Sequence, residues 1–173
     1  MNVCLILKFF YSMKKTTLLI ITIAAMLLVA CATWEEQMAC RAERAKQVAA
    51  ALADRHYSIG VRMMHPMRGR SVQVSYGYEL KVKGDTLVSH LPYFGRAYAV
   101  PYGGGKGLHF TERIIEYRSW KTRRGSTMVE ILTENDEDSY FFTLEVFDNG
   151  NASFDVQMKQ RDRVRFDGEM VEE

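Results

Sequence analysis

Cysteine and proline are both scarce in this chain, three of each among 173 residues. Cys4 and Cys31 fall in or at the end of an N-terminal leader, so Cys40 is the single thiol left and no intramolecular disulfide framework is available. In an oxidising compartment that thiol would pair between molecules or pack as a small hydrophobe, and we expect the second. A run apolar enough to span a bilayer, about 20 residues, is also lacking. The longest, Leu18 to Ala30 interrupted by Thr22, has the length of a signal-peptide core.

Acidic residues are absent from the first thirty positions, which carry Lys8, Lys14 and Lys15. A positive region followed by a short apolar one is the pattern of a secretory leader, and Met13 is as plausible a start as Met1. The leader closes on "LVAC", residues 28–31, which looks like a bacterial lipobox. On that reading residues 1–30 are a lipoprotein signal peptide, Cys31 is acylated, and residues 31–34 form a short tether to a single domain over 35–173. Several acyl chains, at about 0.8 kcal/mol per methylene, hold a protein to a membrane firmly. Cys31 is then an anchor and not a nucleophile, and the expected location is the outer membrane, facing either the periplasm or the outside.

Removing the leader takes three of the 23 basic residues and none of the 21 acidic ones, leaving 20 against 21 and a net charge of −1. A broad nucleic-acid-binding surface therefore has no compositional support.

Residues 35–54 carry Met38, Ala42, Ala45, Val48, Ala49 and Leu52 at helical spacing, which predicts a helix packing on a sheet. Beyond Tyr57 the period falls to two. Ile59, Val61 and Met63 predict one strand, and Val72, Val74, Tyr76, Tyr78, Leu80 and Val82 the next. "KGD" at 83–85 reads as a tight hairpin turn. "FTERIIEYRSW", "TMVEILTE", "SYFFTLEVF", "ASFDVQMK" and "VRFDGEM" follow as strands with hairpin-length connections, implying antiparallel neighbours. The expected fold is mainly β: an antiparallel meander of about eight strands curled toward a barrel to hide its edges, with one N-terminal helix packed against it.

Motifs of known chemistry are missing. "GGGKG" at 103–107 lacks the GxxxxGK[ST] order and the following helix of a phosphate loop. His56, His65, His90 and His109 have no partner at metal-ligand spacing, so no metal or cofactor is implied. Neither Ser126 nor Cys40 sits on a nucleophile elbow, and no catalytic residue is assigned. "ENDED" at 134–138 reads as a solvated hairpin turn.

What remains is "LPYFGRAYAVPYGGGKGLHF", residues 91–110, where five rings stand among five glycines and two prolines. If Tyr93, Phe94, Tyr98 and Tyr102 line a concave face, they offer stacking area to a glycan, peptide or apolar ligand, with Arg96 and Lys106 orienting its polar groups. If they point inward, the segment plugs an end of the barrel.

Together with "FFTLEVFDNGNASFDV" and "FDGEM", the stretch from "PMRGRSVQVSYGYELKVKGD" through "LHF" resembles a domain-of-unknown-function family of small lipoproteins and secreted proteins from Bacteroides-type bacteria. The resemblance covers roughly residues 35–170. It implies an envelope location and a mostly antiparallel β-domain, and carries no activity or catalytic residues with it. The reading from sequence is a lipid-anchored, non-catalytic binding or interaction module. A structural envelope protein with a protein partner, and a glycan or lipid hydrolase, stand as alternatives.

Overall fold

The computed structural model describes residues 34–75, 77–93 and 107–171. The chain divides into two compact units, Met1–Ala42 and Glu43–Glu173. Cys31 and five of the six proposed ligand residues, Phe94, Arg96, Tyr98, Tyr102 and Lys106, lie outside the described residues; Tyr93 lies within them.

Helix α1 occupies residues 34–53. Val48 and Leu52 are buried, whereas Met38, Ala42 and Ala49 are exposed, so the apolar stripe is used only near its C-terminal end. Cys40 is exposed, contrary to the expectation of burial, because it lies in the stretch of α1 ahead of the buried pair. Arg55, two residues past the helix, has a positive φ of 51°, the left-handed conformation that follows many helix ends.

Ten strands follow among the described residues: β1 (His56–Pro66), β2 (Val72–Gln73), β3 (Glu79–Lys83), β4 (Thr86–Leu91), β5 (Leu108–Arg113), β6 (Glu116–Lys121), β7 (Thr127–Glu134), β8 (Ser139–Val146), β9 (Asn151–Met158) and β10 (Val164–Val171). They form one antiparallel sheet in the order β5-β4-β3-β1-β10-β9-β8-β7-β6, with β2 paired to β1, curled into a half-barrel. Tyr140, Phe142, Leu144 and Val146 line the inner face of β8 and meet Phe154 and Val156 of β9, as the alternation predicts. Each large side chain buried there contributes roughly 1.5–3 kcal/mol.

Three departures from the sequence pattern have local causes. In β1 the register slips between Val61 and Met63, so Met64 is fully buried and Met63 is exposed where plain alternation puts Met63 inside. The expected strand over 72–82 is broken into β2 and β3, and Gly77 sits in the break with φ of 102°. "FTERIIEYRSW" is two strands, β5 and β6, which stand at opposite ends of the sheet order although only Ile114 and Ile115 separate them. At that corner Ile114 N–H donates to Asp85 O, beside the β3–β4 turn, and Ile115 N–H donates to Leu132 O of β7, both at 2.8 Å. The Thr133 hydroxyl adds a bond to Arg113 O at 2.9 Å.

The sheet's centre is the pairing of β1 with β10, and it is tightest where two glycines meet. A Cβ placed on Gly168 would lie 2.2 Å from Gly60 O, a backbone atom held by the sheet. Gly168→Ala is therefore expected to destabilise the fold by about 3 kcal/mol or to prevent folding. A thermal melt beside Gly84→Ala, whose added Cβ meets open space and whose cost is the strain of a positive φ of 60°, about 1 kcal/mol, separates close packing from loss of glycine's backbone freedom.

Candidate functional site

Tyr93 and Gly107 bound the glycine- and tyrosine-rich segment, and both are tied to the chain between β9 and β10. The Tyr93 hydroxyl donates to Asp162 O at 3.2 Å. Gly107 O accepts from the Arg161 guanidinium at 3.2 Å and from the Tyr140 hydroxyl at 3.4 Å. Arg161 and Asp162 are neighbours in sequence and both are buried. The two feet of the segment are thus held at one place.

Arg161 is the hub of this clamp. Its side chain is 5% exposed, and its second terminal nitrogen donates to Glu137 Oε2 at 2.9 Å. It also bonds the Tyr140 hydroxyl at 3.3 Å. Burial works to lower the guanidinium pKa, but the bonds to Glu137 and Tyr140 and their charges outweigh it, and the pKa is raised. The Tyr140 hydroxyl is also raised, by burial first, against the opposing hydrogen bonds of Asn135 and Arg161.

Around the clamp "ENDED" proves to be structural rather than a merely solvated turn. Asn135 Oδ1 accepts from the N–H groups of Glu137 and Asp138, closing the β7–β8 turn. The buried Asp138 carboxylate accepts from Ser139 N at 2.8 Å, Lys159 N at 2.9 Å and Gln160 N at 3.0 Å. Three backbone donors on one carboxylate position the strand end from which Arg161 projects. Beneath, Phe110 packs on Tyr140 with centroids 4.4 Å apart and on Phe142 at 6.4 Å. Alongside lies an open cavity of about 360 Å³ lined by His109, Glu112, Asn135, Asp136 and Glu137, among others.

Tyr93, the one proposed ligand residue among those described, is partly buried against the core. Its ring belongs to the wall, and its hydroxyl is occupied by the clamp. The convergence of Arg161 with Tyr140 and Glu137 escaped the sequence reading: an arginine in a turn beside Asp162 looks like any solvated charge until the fold brings it under Gly107.

The histidines sort into different roles. His90 and His109 are directly opposed on β4 and β5, with ring centroids 4.2 Å apart and Tyr78 edge-on to both. Burial and the neighbouring His90 lower the His109 pKa. His65 links the Ser71 hydroxyl, 2.7 Å from Nδ1, to Asp167 Oδ2, 2.8 Å from Nε2. Among the described residues no three His, Cys, Asp or Glu side chains converge as metal ligands.

A model of the domain of unknown function DUF4251 matches residues 39–170. Among solved structures, the chain is similar to a DUF4251 family protein from Bacteroides eggerthii, with a TM-score of 0.58 and 14% identity over 77% of this chain and 90% of that one. No curated protein matches.

Two outcomes follow from the site. Arg161→Met leaves Glu137 and Gly107 O without their shared donor and is expected to cost about 3 kcal/mol or more in chemical denaturation, with Arg161→Lys in between. Tyr57, Tyr117 and Tyr140 all have folded pKa values above 10.0, chiefly through burial. Their contribution to stability is complete below the unfolded value of about 10 and is lost as pH rises through the folded values. Alkaline unfolding monitored together with tyrosinate absorbance should show three hydroxyls ionising above the ordinary tyrosine value; uniform titration near 10 with no change in stability would refute their burial.

Proposed function

Because the chain belongs to the DUF4251 family, whose description names no activity, we propose a function from its own residues: a lipid-anchored envelope protein whose domain is a non-catalytic binding module. Lipid anchoring is supported by the leader and by "LVAC" ending in Cys31. Binding is supported chiefly by one observation, that Tyr93 and Gly107, the feet of the segment carrying Phe94, Arg96, Tyr98, Tyr102 and Lys106, are fastened to adjacent buried residues. Fixing both ends reduces the entropy that a ligand would otherwise have to remove from the segment, which favours binding. Rings with two cations suit a glycan, a peptide or an apolar molecule with an acidic or hydroxylated group.

A hydrolase is the second reading, and His65 is what favours it. The row Ser71, His65, Asp167 has the order of nucleophile, base and carboxylate. Against it, the groove of about 410 Å³ beside Asp167 is lined by Met63, Phe147 and Ser153 but not by Ser71 or His65. Those side chains read better as a brace between β1, β10 and the loop before β2.

The deciding experiment measures incorporation of labelled palmitate, binding of muropeptides, glycans and lipids by calorimetry, and turnover of a nitrophenyl ester by the same preparation. The proposal expects label lost in Cys31→Ser, a ligand whose affinity falls at least tenfold in Tyr98→Ala by loss of a stacking ring, and no turnover that Ser71→Ala abolishes. Label retained in Cys31→Ser removes the anchor. Ester turnover dependent on Ser71 removes the non-catalytic reading.

A further inference from the structure

Among the described residues, strand β6 is bonded on one side only. Its partner is β7, and among the described residues no strand pairs with its other edge. Glu116, Arg118, Ser119, Trp120 and Lys121 are exposed, with Trp120 at 44%. Natural sheets usually cover or blunt such an edge, because its free N–H and C=O groups are a template for another strand.

The hydrogen-bond phase shows which groups are free. Thr122 N–H donates to Ser126 O, and the same register pairs Trp120 with Met128, Arg118 with Glu130 and Glu116 with Leu132. Hydrogen-bonded pairs alternate with non-bonded ones along an antiparallel ladder, so the even-numbered residues of β6 bond to β7. The other ladders agree: Phe147 N–H to Asn151 O assigns the odd residues of β8 to β9 and hence its even ones to β7, while Asn135 N–H to Asp138 O fixes the same phase at the far turn. The backbone groups of Tyr117, Ser119 and Lys121 therefore face outward.

We propose that β6 is the contact through which two copies of this chain associate, by antiparallel pairing of β6 with β6 across a two-fold axis at Ser119. The axis of such a pair stands perpendicular to the sheet, so a residue must lie opposite its own copy. Centring on Ser119 makes Ser119 opposite Ser119, and Tyr117 opposite Lys121, hydrogen-bonded pairs, using every outward backbone group of β6. Arg118 and Trp120 then face each other across the interface as a non-hydrogen-bonded pair, where side chains approach most closely, and the cation lies against the indole. Centring on Arg118 instead puts two guanidinium groups together and uses fewer backbone bonds. The edge is thus complementary to itself in one register, in backbone phase and in side chains. This inference is independent of the ligand site and of the anchor.

The test is sedimentation of the full chain, purified in detergent, against Ser119→Pro. Since the Ser119 N–H faces outward, proline removes no bond to β7, and edge strands tolerate it. Circular dichroism checks that the fold is kept. The expected result is a concentration-dependent dimer whose dissociation constant rises at least about tenfold in Ser119→Pro, through loss of two symmetric backbone bonds. Ser119→Cys in a Cys40→Ser background gives a reading that does not depend on proline: opposed Cα atoms about 5.5 Å apart lie within disulfide range, and mild oxidation should yield a covalent dimer that Cys40→Ser alone, which retains Cys4 and Cys31, does not form. A monomer at every concentration, or a dimer that neither weakens with Ser119→Pro nor crosslinks through Ser119→Cys, overturns the proposal.

Discussion

The architecture depends on two adjacent amides. Ile114 and Ile115 bond in opposite directions, one toward the β3–β4 turn and the other toward β7, so the two ends of a nine-strand path are brought to the same corner. A curled sheet of this width has two edges. Placing both in one continuous stretch of chain lets a two-residue bend limit how far they can separate. The curl in turn encloses Phe110, Tyr140 and Phe142, and it is the curl that brings β5 near the β7–β8 turn and creates the cavity beside Glu137.

The polar clamp is the counterpart of that apolar interior. Arg161 is the sort of group that burial penalises, and it is tolerated because a carboxylate, a phenol and a carbonyl share its donors. Asp138 plays the same part for the backbone, replacing with side-chain oxygens the ladder partners that a strand end lacks. The clamp meets the chain at Tyr93 and Gly107, so the bonds around the buried charge also fasten the chain on either side of residues 94–106.

Most of the strands were legible because their alternation is plain: Tyr140 to Val146 and Phe154 to Val156 each read as one buried face, and each is. The misreadings occur where period two is interrupted without a strong marker. Nothing in "GVRMMH" announces the slip that buries Met64 and exposes Met63, since both residues are methionine. "RIIEY" looks like a single strand because a change of partner leaves no trace in hydrophobicity. The burial expected of Cys40 assumed that a small-residue stripe is used along its whole length, whereas only Val48 and Leu52 are buried in that helix among the residues assigned to the core. The clamp was invisible for a different reason: it joins residues from three distant turns, and local pattern carries no information about such convergence.

The sheet order also sets a schedule for folding. Strand β10 lies between β1 and β9 and, among the described residues, is the only strand whose ladders join the β5-β4-β3-β1 half to the β9-β8-β7-β6 half. Until residues 164–171 are available the two halves have no common ladder, and contacts of such long sequence separation form slowly. A nascent chain of this kind stays unfinished until residues 164–171 have been made. Any step that needs it extended, such as threading through a narrow pore, can be completed before the native state begins to compete.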